Sequence, residues 1–60
     1  MNFNQALIGF LDELAAMVAD AKATAQTKTV TWDARSALLA NAQLAMQNIH
    51  QVQNDLEALP

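Results

Sequence analysis

The chain has 60 residues, no Cys, one His, and three Lys or Arg against six Asp or Glu, for a formal net charge of -3 at pH 7. Such a length allows one domain, residues 1–60, and a chain this short hides a smaller share of its surface than larger domains do, so that it often needs disulfides, a metal or a partner subunit. The missing Cys removes the first aid and the single His argues against a structural zinc centre; the few basic residues argue against phosphate-rich nucleic acid, so association is what remains.

The first predicted helix covers about residues 3–25. Phe3, Leu7, Phe10, Leu14, Met17 and Ala21 follow alternating steps of four and three, the spacing of one helical stripe. Ile8, Leu11, Ala15 and Val18 form a second row that widens the apolar sector to roughly 160°, more than one helix–helix seam needs. Gly9 weakens local helix propensity by about 1 kcal/mol relative to Ala, either as a tolerated weak spot or as a place where another backbone approaches. The same segment fails as a secretion signal, because it lacks a basic start and Asp12 with Glu13 interrupts its apolar run. A cytoplasmic setting is therefore expected, for a free-standing polypeptide or a piece excised from a longer one.

A bend is expected over about residues 26–31. Within TAQTKTVTWDARS, Thr27, Thr29 and Thr31 alternate with Lys28, Val30 and Trp32, a period of two that resembles a strand. No second strand candidate is available to pair with it, and an unpaired strand leaves its backbone groups unsatisfied. β-branched residues disfavour helix, so the stretch reads as a helix-to-helix connection. Thr31 or Asp33 can cap the helix that follows, and Trp32 is expected to cover the end of the hairpin.

The second predicted helix covers about residues 32–58. Leu38, Ala42, Ala45, Ile49, Val52, Leu56 and Leu59 repeat the four-and-three pattern, and the small Ala42 and Ala45 leave room for a facing helix. Trp32, Leu39 and Met46 form a row beside that seam, and Leu44 falls on the far side. From Ser36 through Asn54 no side chain is formally charged, yet Asn and Gln recur throughout. A membrane span needs about 20 mostly apolar residues, so neither segment is expected to cross one.

Two helices of matched length joined by a short connection imply an all-α antiparallel hairpin. A lone hairpin leaves its second rows in water, and burying each large apolar side chain is worth about 1.5–3 kcal/mol. The expected state is thus a homodimeric four-helix bundle. Phe3, Leu7, Ile8, Phe10, Leu11, Leu14 and Val18 would contribute to its hairpin and oligomer interfaces from the first helix. Leu38, Leu39, Ala42, Ala45, Met46, Ile49, Val52 and Leu56 would do so from the second. Lys22, Lys28 and Arg35 lie near the bend and Asp55 and Glu57 near the opposite end, a distribution that favours copies packed with bends at opposite ends.

Catalytic groupings are not legible. His50 has Met46, Gln47, Gln53 and Asn54 at helical contact spacing, with no acid or nucleophile among them, and acid–base or nucleophilic work needs such a neighbour. One glycine cannot build a phosphate loop, and no metal or cofactor site is expected. Two functional classes follow. The first is a non-enzymatic interaction module, of inhibitor or adaptor type, that binds itself and another protein, with Trp32, Arg35 and Leu44 as partner contacts; the second is an assembly component of a larger particle such as a viral one.

Overall fold

A computed structural model describes residues 2–60. It is all-helical, with α1 at Phe3–Gln26 and α2 at Trp32–Glu57, and no strand among the described residues. Helix α1 starts where Asn2, in extended conformation, turns its side-chain oxygen back to accept from the Gln5 backbone N–H at 3.1 Å. That bond satisfies one of the amides that a helix leaves free at its beginning. At the other end Thr27 stops the helix: its N–H donates to the Thr24 carbonyl at 3.0 Å, the Lys28 N–H donates to the Ala25 carbonyl at 3.4 Å, and the Thr27 hydroxyl donates to the Thr24 carbonyl at 2.8 Å.

Residues 27–31 form the turn. No described residue has positive φ and no peptide bond among the described residues is cis, so the turn forms without glycine, through right-handed and extended backbone alone. The strand-like alternation of Thr and Val falls in this turn, which Thr27 enters in right-handed conformation and Thr31 leaves in extended conformation. Thr31 (φ -74°, ψ 161°) is the cap of α2, its hydroxyl oxygen accepting from the Ala34 N–H at 3.2 Å. Asp33 lies inside the first turn, where the positive end of the helix dipole favours a carboxylate. At the far end, the Ala58 N–H returns to the Asn54 carbonyl at 3.1 Å. Gln51 and Gln53 donate to Asp55 and Glu57 at 2.9 and 2.8 Å across single helical turns.

One cleft takes lining residues from both helices, Leu14 to Ala21 on α1 and Ala42 to Gln53 on α2, which places the two side by side. The helices nevertheless stay apart. Among the described residues no Cα of α1 comes within 8 Å of one in α2 at a separation of twelve or more, whereas packed helices have axes only about 8–10 Å apart. No described residue is buried; Leu11, Leu14, Val52 and Leu56 alone are partly covered. All four lie in the half of their helix farther from the bend.

The consequence is an unusually wet molecule. Its accessible surface is 5549 Å², against about 3,800 Å² for a compact monomer of the same mass. Its radius of gyration is 14.9 Å, against about 10 Å for a compact 60-residue chain. The rod shape, 45 × 19 × 13 Å, accounts for part of the larger radius, but the surface excess also requires that apolar side chains lack neighbours.

Candidate functional site

Between the two helices lies an apolar cleft of about 780 Å³. Leu14, Met17, Val18 and Ala21 line it from α1, and Ala42, Ala45, Met46, Ile49, His50 and Gln53 from α2. The small residues explain the opening: methyl side chains at 21, 42 and 45 leave space that α1 and α2 do not close on each other. Nearer the bend, Ala25, Val30, Arg35, Leu38, Leu39 and Ala42 surround a smaller hollow of about 260 Å³. Ala42 borders both, so the two hollows are adjacent along the same side of α2.

The residues expected at interfaces divide into three groups. Leu11, Leu14, Val52 and Leu56 are the four that are partly covered. Val18, Ala42, Ala45, Met46 and Ile49 border the larger cleft, and Leu38 and Leu39 the smaller. Leu7 and Ile8 remain exposed. Phe3 and Phe10 are more so, at 77% and 72%; with Met17 they stand seven residues apart along α1. A ring left this far in water forfeits nearly all of the stabilisation that its burial would give.

Trp32 does not cover the hairpin end. It is 73% exposed, and the Arg35 guanidinium sits 5.4 Å from its ring centroid. The cause is local, because Arg35 follows three residues later on the same face of a new helix and can lay its cation over the ring. The Ser36 hydroxyl donates to the Trp32 carbonyl at 3.4 Å, which ties the same turn to its own backbone. Trp32 and Arg35 thus present a cation–π pair at the bend, while Leu44 stands exposed away from both hollows.

Four cleft residues were not among the sequence-derived interface candidates: Met17, Ala21, His50 and Gln53. Met17 and Ala21 were nonetheless on the α1 stripe. Met46, His50 and Gln53 occupy positions i, i+4 and i+7 and share one helical face; the polar identity of the last two masks that spacing. His50 is the only titratable side chain in the cleft lining. Among the described residues, no group of three or more His, Cys, Asp or Glu gathers to hold a metal ion, and no helix is long and apolar enough to cross a membrane.

Comparison with protein-family models, curated proteins and solved structures finds no match to this chain.

Proposed function

We infer that the chain is a non-enzymatic protein–protein interaction module that acts as a homodimeric four-helix bundle in the cytoplasm and presents its bend to a second protein. The observation that carries this reading is the surface excess: a single chain exposes about 1,700 Å² more than a compact monomer of its mass. A standard interface removes about 800 Å² from each partner, and obligate dimers more. Self-association therefore supplies the core that one hairpin lacks. The bend suits a heterologous contact, since Trp and Arg are the residue types enriched at binding hot spots.

Sedimentation equilibrium at micromolar concentration tests the first half of this reading; a helical monomer there would remove it. The second half is tested by purifying the dimer on a solid support, challenging it with native lysate and repeating with Trp32→Ala. A stoichiometric partner lost with Trp32→Ala, from a variant that still dimerises, is the expected outcome. Binding unaffected by the substitution would move the contact away from the bend.

The alternative is an assembly component of a larger particle such as a viral one. It is favoured by the exposure of Leu44 and Leu59 in addition to the residues bordering the hollows, since repeated lateral packing needs more than one adhesive face. Growth of sedimenting species beyond the dimer as concentration rises would select it.

A further inference from the structure

Resting on the reading that the chain associates with itself, we propose that two copies pack with their bends at opposite ends and that each inserts its Phe10 into the other's interhelical cleft. Phe3 then enters the smaller hollow beside the bend. The occupant of both hollows is thus the α1 row of a second copy.

Register along the helix axis leads to this arrangement. α1 spans Phe3–Gln26, so two fully overlapped antiparallel copies of it are related by a twofold axis between Leu14 and Ala15. Position 10 of one copy then stands level with Ala19 of the other, inside the stretch of α1 that borders the large cleft. Position 3 stands level with Gln26, next to Ala25 of the small hollow. Phe3 and Phe10 are separated by about 10.5 Å at 1.5 Å per residue. The middle of the cleft's α1 lining and Ala25 are separated by about 11 Å on the same rule. Measured along α2 the two linings are about 13.5 Å apart, so two exposed rings and two apolar hollows have similar spacings, and a twofold interface uses each set in both directions.

Charge supports the same polarity. Residues 20–36 hold all three cations with Asp20 and Asp33, a formal +1 (three minus two). The open end holds Asp55 and Glu57 with no Lys or Arg, a formal -2, and Asp12 with Glu13, midway along α1, completes the -3 of the whole. Opposed bends set the basic third of one copy against the acidic end of the other, whereas bends packed together would juxtapose like charges. The available area suffices as well, since the surface excess of each chain is about twice what a standard interface takes from one partner.

Sedimentation equilibrium of three proteins, combined with one distance measurement, tests the packing. Phe10→Ala should raise the dimer dissociation constant at least tenfold; Ala is a strong helix former, so circular dichroism at dimer-saturating concentration should remain helical. Ala45→Trp enlarges the apolar surface but fills the cleft, and should weaken the dimer to a similar degree. Association through unspecific stickiness would instead be strengthened by Ala45→Trp, and that result would overturn the proposal. Because the chain contains no cysteine, a nitroxide on Lys28→Cys reports bend-to-bend distance by pulsed electron resonance. Opposed bends predict more than about 30 Å, given a 24-residue α1 at 1.5 Å per residue. A short distance in an intact dimer, or a Phe10→Ala dimer of unchanged affinity, overturns this packing while leaving self-association standing. A monomer at high micromolar concentration overturns both and assigns the cleft to a foreign occupant.

Discussion

Thr31 is the residue on which the chain reversal turns, because its hydroxyl caps the first turn of α2 at the point where extended backbone becomes helical. Thr31→Ala removes that acceptor and should destabilise the fold by about 1 kcal/mol, whereas Thr31→Ser or Thr31→Asp should retain it. Denaturant midpoints compared at one protein concentration measure the difference; equal midpoints for Ala and Ser would mean that the cap contributes nothing. Gly9 offers an opposite case. A Cβ built there meets nothing within 4 Å, so within one chain Gly9→Ala should add up to about 1 kcal/mol through helix propensity. A loss of stability would reveal that another helix crosses α1 at this position in the associated state. His50 supplies a third residue-scale prediction. It borders an otherwise nearly apolar cleft, and covering that cleft takes the imidazole out of water at a cost that Leu would not incur. His50→Leu should therefore tighten association severalfold in sedimentation equilibrium; a weaker dimer would mean that the imidazole has a polar partner across the interface.

Both elements were legible as helices because their apolar positions recur at steps of three and four, a signal that a helix carries whether or not anything packs on it. The all-helical class follows, and so does the dismissal of a strand at 27–32, since the chain has no second strand to pair with this one. Spacing could not reveal how far apart the helices stand. Ala42 and Ala45 fit a close seam and an open cleft equally well, and the choice depends on volumes across the gap, where Met17 and Ala21 face them without filling it. Trp32 misled for a related reason: a large ring beside a cap invites a covering role, yet Arg35 one turn later offers it a local partner that a periodicity argument does not weigh. Neither helix buries a residue, and isolated helices gain most of their stability from packing an apolar face. Helicity of the chain should consequently fall on dilution, and the thermal midpoint should rise with concentration, as mass action demands when folding and association are coupled. Circular dichroism melts over a hundredfold range of concentration test this, and a midpoint that does not move would mean that the single hairpin is sufficient.

For the whole molecule the decisive quantity is the orientation of the two copies, and its electrostatics can be separated from its packing. Reversing Lys28 and Arg35 to Glu places two anions at the bend, opposite Asp55 and Glu57 of the other copy if bends are opposed. Exposed pairs contribute about 0–1 kcal/mol each, and a twofold interface counts every pair twice, so the dissociation constant should rise severalfold at low salt. The effect should fade near 1 M salt, where the Debye length is about 3 Å. Adding Asp55→Lys and Glu57→Lys to the same chain should restore affinity, which a bends-together dimer would not show. Local structure works in the other direction at one of these sites. Arg35 sits just inside the start of α2, where a carboxylate interacts better with the helix dipole than a cation does; its replacement also removes the cation from the Trp32 ring. The helix start gains slightly, the cation–π pair is lost, and neither change reaches the far end of the hairpin. Rescue by the Asp55→Lys and Glu57→Lys substitutions therefore reports only on contact between opposite ends of two copies; failure to rescue, with the single-site helicities unchanged, would rule that contact out.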